Sequence, residues 1–145
     1  MFDAADALAT WLGLTLVGAT LVAAALAIPA APPPDATAVA ASDYDTDAAV
    51  PLNADSVRVT TRSIGLRGAG GTASAALVAR VVPVPPGGPL AAVLAGRDPA
   101  LVFDTELELV RAAVDARARS PDWRTAETLR VRHLAWRGVD VVLVG

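Results

Sequence analysis

The feature that most constrains this chain is an uncharged apolar stretch over residues 8–28, LATWLGLTLVGATLVAAALAI. At about 1.5 Å of rise per residue, a helix of this length reaches roughly 30 Å, the thickness of the hydrocarbon core of a bilayer. Trp11 lies near one end, where an aromatic ring suits the membrane interface, and Pro29 ends the helix at the other. The stretch therefore predicts a transmembrane helix that contacts membrane lipid, preceded by a short tail over residues 1–7.

The same stretch has a rival interpretation as a secretory signal that is cleaved after Ala27 or Ala30. A signal peptide usually opens with basic residues, whereas residues 1–7 carry Asp3 and Asp6 and no Arg or Lys. We therefore expect an uncleaved single-pass anchor in the cell membrane, with a released binding domain as the alternative. Arg and Lys are absent near both ends of the stretch, so the positive-inside rule favours neither orientation strongly. The orientation we expect places the C-terminal domain outside the cell.

Residues 29–51 are rich in proline, alanine and isolated acidic residues, with little apolar bulk to bury. This composition predicts an extended, mobile tether. Its run Asp43-Tyr44-Asp45-Thr46-Asp47 resembles the opening of a calcium loop. Such a loop needs glycine at its sixth position and glutamate at its twelfth, and here those residues are Ala48 and Ala54. We therefore interpret the run as a solvated acidic linker that leads into one small domain, residues 52–145.

Composition argues against several classes of function. A nucleic-acid partner would require a clustered basic face, whereas the formal net charge is −3, so we expect none. Without lysine the chain has no P-loop, and without cysteine it has no disulfide and no thiolate metal site. The pattern Gly68-x-Gly70-x-x-Ala73 formally matches a dinucleotide fingerprint, but prolines break the segment that follows, and a hairpin turn explains the glycines. We predict no cofactor, no metal site and no catalytic residue.

The first half of the domain has the pattern of a β-hairpin. Residues 57–67 are β-branched and alternating, and a change of parity predicts a bulge or bend near residues 61–63. The glycine-rich residues 68–71 predict a turn, and residues 72–84 predict the partner strand.

Two helices follow the hairpin in the sequence. Pro89 and Gly96 bracket a short helix over residues 90–95. Thr105 and Glu108 form a capping box for a longer helix over residues 106–119. Four apolar residues recur at helical spacing and predict the stripe that packs on the sheet: Phe103, Leu107, Val110 and Val114.

The last segment, residues 128–145, predicts a second hairpin that turns at Arg137-Gly138. Five residues then share one face of this hairpin, which we expect to meet the helix stripe: Leu134, Trp136, Val139, Val141 and Leu143. His133 and Asp140 lie on the opposite face, within diagonal reach of each other.

A histidine beside an aspartate can act as a general base, so a membrane-tethered hydrolase that uses His133 and Asp140 is an alternative function. Such chemistry needs a nucleophile, and no motif marks Ser63, Ser74 or Ser120 as one. We expect an ordinary surface histidine, and we expect Trp123 and Trp136 to be packing residues rather than a ligand platform.

Short motifs along nearly the whole chain carry a resemblance to a known family. They are the opening MFDA, the Trp-Leu-Gly of the apolar stretch, APPPDA, LNADSVRV, SIGLR with a glycine-containing turn and GTA, VFD before the long helix, PDWR after it, and the closing VDVVLVG. In these motifs the chain resembles small single-span haloarchaeal membrane proteins of unknown function. The resemblance implies a setting beside archaeal type IV pilus-like or secretion-like systems, and it carries over no catalytic residue.

The sequence as a whole predicts an α+β protein in four parts. These are a tail (1–7), a transmembrane helix (8–28), a disordered tether rich in proline, alanine and aspartate (29–51), and a small domain (52–145). We expect the domain to consist of two β-hairpins with one main amphipathic helix packed on the sheet. Its expected function is that of a non-enzymatic accessory or protein-interaction module at the cell surface, with a protein partner of unknown identity.

Overall fold

The computed structural model describes residues 31–42, 44 and 46–145, and the predicted tail and membrane helix lie outside them. Among the described residues, no helix is both long enough and apolar enough to cross a bilayer. In chain order the described elements are α1 (Ala36–Ala40), β1 (Ala48–Pro51), β2 (Ser56–Val59), β3 (Ser63–Gly68), β4 (Gly71–Ala76), β5 (Val82–Pro83), α2 (Pro89–Leu94), a 3-10 turn (Pro99–Leu101), α3 (Glu106–Ala118), β6 (Thr128–Trp136) and β7 (Val139–Val144). The predicted α+β class is confirmed, with two sheets in the place of one.

The strands form a four-stranded sheet of order β1-β6-β7-β5 and a three-stranded sheet of order β2-β3-β4. Neighbouring strands are antiparallel except β5 and β7, which are parallel. The four-stranded sheet is apolar on both faces. Leu129 and Val144 point into a core shared with β2, β3 and α1, and Leu134 and Leu143 point into a second core shared with α2 and α3. The domain therefore has three layers, with the four-stranded sheet in the middle.

The prediction of a mobile tether over residues 29–51 is wrong from α1 onward. Ala36, Val39 and Ala40 are buried against the three-stranded sheet, and Asp35 caps α1 by accepting a hydrogen bond from the N–H of Ala38 at 2.9 Å. β1 then pairs with β6, with Ala48 opposite Val131. The alanine side chains of α1 pack against the core despite their small size. The low apolar bulk of this segment had led to the prediction that it does not fold.

The predicted single strand over residues 57–67 is in fact two strands. The chain reverses between β2 and β3, so that Val57 pairs with Leu66. Thr60 makes the turn, because its Oγ1 accepts hydrogen bonds from the N–H of Arg62 at 3.2 Å and the N–H of Ser63 at 2.8 Å. The change of parity in the sequence therefore marked a hairpin rather than a bulge. The turn predicted after it, over residues 68–71, is confirmed between β3 and β4.

The predicted second hairpin is confirmed. β6 and β7 are joined at Arg137-Gly138. Both residues have positive φ (48° and 80°), as a two-residue type I′ turn requires. The cap of α3 is confirmed too, because Thr105 Oγ1 accepts from the N–H of Glu108 at 3.3 Å. The carboxylate of Glu108 in turn accepts from the N–H of Asp104 at 2.9 Å, one residue before the cap.

The predicted packing face of α3 is wrong. Leu107, Val110 and Val114 are 52%, 38% and 55% exposed, whereas a different set, Leu109, Ala113 and Ala116, is buried. Phe103 is buried as predicted, but it lies before the helix. Leu134 and Leu143 of the predicted hairpin face do share a core with the buried side of α3, and the strand that α3 approaches most closely is β5.

Candidate functional site

The His133–Asp140 pair is the arrangement of titratable groups that the sequence singled out. His133 lies on β6 and Asp140 on β7, one step diagonal in the ladder, because His133 faces Val142 and Asp140 faces Ala135. The Nε2 atom of His133 is 2.6 Å from Oδ1 of Asp140. The imidazole is 33% exposed and the carboxylate 72% exposed, so the pair lies at the surface. The predicted proximity is therefore confirmed, in a solvated position.

Asp47 and Arg132 connect this pair to the neighbouring elements. The backbone N–H of His133 donates to Oδ1 of Asp47 at 3.1 Å, and Nε of Arg132 is 3.5 Å from Oδ2 of the same carboxylate. Nη1 of Arg132 donates to the carbonyls of Val93 and Arg97 at the end of α2. A guanidinium in this position adds a hydrogen-bond donor to the carbonyls at a helix end. Asp47 and Arg132 therefore join β1, β6 and α2, which is a structural role.

The three serines considered as nucleophiles lie in layers other than that of the His133–Asp140 pair. Ser63 begins β3, and its Oγ is 2.8 Å from Oγ1 of Thr60. Ser74 is exposed on β4 in the three-stranded sheet. Ser120 follows α3 in the helical layer. The structure thus gives His133 a carboxylate partner but does not assemble it with any of these hydroxyls.

Trp123 packs on the outer face of the three-stranded sheet. A Cβ placed on Gly65 would lie 3.1 Å from Cη2 of the indole, so the ring rests against the glycine backbone. The guanidinium carbons of Arg58 and Arg67 lie 4.9 Å and 4.2 Å from the ring centre, within the range of cation–π attraction. Arg124 next to it forms a β-bridge with Val57. The ring is engaged on several sides, which supports the predicted packing role.

A cleft of about 300 Å³ lies between the proline-rich segment after β5 and the end of α3. Its apolar lining includes Val59 and Val84, and Arg119, Asp122 and Arg124 supply its charges. Nη1 of Arg124 donates to the carbonyl of Val84 at 3.0 Å, and burial lowers the pKa of this guanidinium below its usual range. Charges of both signs line the cleft, and the guanidinium of Arg124 already donates to a backbone carbonyl. The lining therefore favours no particular class of ligand.

The outward side of α3 is an apolar stripe formed by Leu107, Val110 and Val114, here called the α3 stripe. Successive residues turn by about 100° in a helix, which places these three together and opposite Leu109 and Ala113. No described segment covers the stripe, and its residues are among the most exposed large apolar side chains of the described chain. The helix therefore has two apolar sides, of which one is used in the fold.

Sequence reasoning noticed the α3 stripe but assigned it to the core. The buried residues 109, 113 and 116 are also spaced as on one side of a helix. Two of them are alanines, which are a weaker signal of burial than leucine or valine. The contacts of Trp123 and Arg124 were missed because they depend on the β-bridge between Val57 and Arg124, a pairing that has no local pattern.

Comparison with known proteins gives one positive result. No curated protein and no solved structure matches the chain, and the comparisons indicate no enzymatic family. A model described as a family of unknown function, DUF7283, matches residues 3–134. This span includes the apolar stretch, the α3 stripe and His133, and it ends before Asp140. Because the match covers well over half of the chain, the protein belongs to the DUF7283 family.

Proposed function

We propose that this protein is a non-enzymatic interaction module, anchored in the cell membrane by residues 8–28 with its domain outside the cell. The proposal includes an accessory role in a pilus-like or secretion-like assembly of a haloarchaeal surface, and no nucleic-acid partner. The observation that supports an interaction role is the α3 stripe, in which three apolar side chains face solvent along one helix.

The energetics of the α3 stripe favour a partner. Covering the exposed part of each Leu or Val side chain contributes about 1 kcal/mol. In the helical repeat Arg111 and Asp115 lie along one side of the stripe and Glu106 along the other, so exposed charges of both signs border an apolar centre. A stripe of residues spaced three and four apart matches the way that one helix packs into the groove of another protein.

The test is affinity purification of the C-terminally tagged full chain from gently solubilised membranes. One variant carries Leu107→Gln, Val110→Gln and Val114→Gln, which removes the apolar surface with a residue that favours helix at least as well as valine does. The matched control is His133→Ala. We expect the native chain and the control to recover the same proteins, and the triple variant to lose them by at least about tenfold, which corresponds to about 1.4 kcal/mol.

Equal recovery by the triple variant, with its fold verified by circular dichroism, would remove the α3 stripe from the proposal. Recovery of the native chain alone, from folded material, would contradict the interaction role itself.

A second candidate function is a membrane-tethered hydrolase, which the 2.6 Å contact between His133 and Asp140 favours. In this case His133→Ala abolishes the cellular phenotype of the protein while partner recovery is unchanged. A released binding domain is the third candidate. The N-terminal residue of the mature protein distinguishes it from an anchored one, because cleavage exposes residue 28 or residue 31.

A further inference from the structure

β4 is an edge strand without the usual protection. It is six residues long, Gly71–Ala76, and among the described residues it pairs with β3 on one side only. No charged residue occurs between Arg67 and Arg80, and none of the six is proline. Natural sheets usually protect an edge with charges, prolines, bulges or a covering segment.

The direction of the free backbone groups follows from the ladder. Leu77 N–H donates to the carbonyl of Arg62, and in an antiparallel pair the residues that exchange hydrogen bonds alternate with those that do not. Thr72, Ser74 and Ala76 therefore point their N–H and C=O groups away from β3. All three are exposed, and within the described chain no other segment donates to or accepts from their backbone groups.

The other three edges are shorter or occupied. β2 has four residues, and its Val57 exchanges hydrogen bonds with Arg124 at 2.8 Å and 2.9 Å. β1 has four residues and ends in Pro51, and β5 has two, of which one is Pro83. Strand addition to this domain is therefore favoured at β4.

We propose that β4 pairs antiparallel with β4 of a second copy of this chain, centred on Ser74, and that the two three-stranded sheets become one continuous sheet. This interface is separate from the α3 stripe and does not depend on the function proposed above.

A second copy is the occupant that the strand itself favours. In the centred register Ser74 faces Ser74, and Thr72 faces Ala76, so all three outward residues of each copy are paired. Directly opposed residues of this kind exchange two hydrogen bonds, which gives about six in total. The facing side chains are small and uncharged, so no like charges oppose each other across the two-fold axis.

The same arrangement ends at two copies. Pairing uses both β4 edges, and the opposite edge of each three-stranded sheet is occupied at Val57. A two-fold interface closes on itself, whereas an edge free on both sides would continue into a fibre. Val78, two residues after the end of β4, is 91% exposed and adds apolar surface beside the strand. A pair of strands buries less than a standard interface, so the dimer is expected to be weak and reversible.

Cysteine cross-linking of the full chain in detergent micelles tests the register. The sequence contains no cysteine, so each introduced thiol is unique. Opposed Cα atoms in a hydrogen-bonded pair lie about 5.5 Å apart, which a disulfide can span. We expect Ser74→Cys to form a covalent dimer under mild oxidation at least about tenfold faster than the exposed control Ser120→Cys. Thr72→Cys should cross-link to Ala76→Cys in a mixture faster than to itself.

Sedimentation of the same full chain tests the association without a cross-link. Ser74→Pro removes an outward N–H and leaves the ladder with β3 intact, so we expect at least a tenfold weaker dimer with unchanged near-ultraviolet circular dichroism. Ser74→Asp serves as a second variant, because it opposes two carboxylates on the axis.

Three results would overturn the proposal. They are cross-linking of Ser74→Cys no faster than that of Ser120→Cys, a native chain that sediments as a monomer, and a dimer that persists in folded Ser74→Pro or Ser74→Asp. If the Gln variant of the α3 stripe abolishes the dimer while both Ser74 variants keep it, that helix is the self-association surface and β4 is not. Loss of partner recovery alone leaves the β4 dimer unaffected.

Discussion

Tyr44 is a single side chain that fixes a segment to the core. It is 4% exposed, and its hydroxyl donates to the carbonyl of Val39 at 2.9 Å, which ties the chain after α1 back onto the helix. A buried phenol keeps its proton because the charged form would lose hydration, so burial raises the pKa of Tyr44 above its usual value of 10.0.

The tyrosinate absorbance of the protein should therefore titrate at a higher pH when it is folded than in concentrated urea. Tyr44 is the only tyrosine of the chain, so the signal reports this group alone. Because the folded pKa is the higher one, the contribution of Tyr44 to stability is intact below about pH 10 and is lost as the pH rises through the folded pKa. Tyr44→Phe should remove this alkaline loss and cost about 1 kcal/mol at neutral pH.

Equal midpoints in the folded and unfolded protein would show that Tyr44 is in contact with solvent. That result would contradict the burial of the phenol.

At the scale of the element, α3 shows how a sequence can predict a helix and mistake its orientation. Its start was predictable because Thr105 and Glu108 cap it through local hydrogen bonds. Its buried side was not predictable, because two sets of residues have helical spacing: Leu107-Val110-Val114 and Leu109-Ala113-Ala116. The prediction chose the set with the larger side chains as the buried one. The core instead takes the side that carries Leu109, Ala113 and Ala116.

Two neighbouring substitutions should therefore differ in how much they destabilise the fold. Ala113→Leu forces a larger side chain into a packed contact and should lower the free energy of unfolding by about 1–3 kcal/mol. Val114→Ala trims an exposed side chain and should change it by less than about 0.5 kcal/mol. Urea denaturation of both full-length variants measures the difference. A larger loss of stability for Val114→Ala than for Ala113→Leu would show that the α3 stripe, and not the alanine side, packs in the core.

At the scale of the whole molecule, α1 and β1 belong to the domain rather than to a tether. Val39 is 6% exposed on α1, whereas Thr37 is exposed on the same helix. Val39→Asp should lower the free energy of unfolding by about 3 kcal/mol or more, because it buries a charge without a partner. Thr37→Asp should change it by less than about 0.5 kcal/mol. Thermal unfolding of the full chain measures both, and equally small effects would favour the tether.

The parts of the fold that could be predicted are those with local causes. The turn at Arg137-Gly138 and the approach of His133 to Asp140 follow from a hairpin whose register the turn fixes. The division into two sheets could not be predicted, because it depends on pairings such as Ala48 with Val131, between segments far apart in the sequence. The free edge of β4 became identifiable only once the occupied edges were known.

The position of β6 and β7 at the centre of the four-stranded sheet affects the order in which the domain can fold. These strands come last in the described chain, yet β1 pairs with β6 and β5 pairs with β7. Both cores contain residues of these two strands, so neither core is complete until residues 128–144 have been synthesised. Pairings between distant segments also slow folding. Each new molecule therefore passes through an interval with incomplete cores and a free β4 edge, and its yield depends on how briefly that interval lasts.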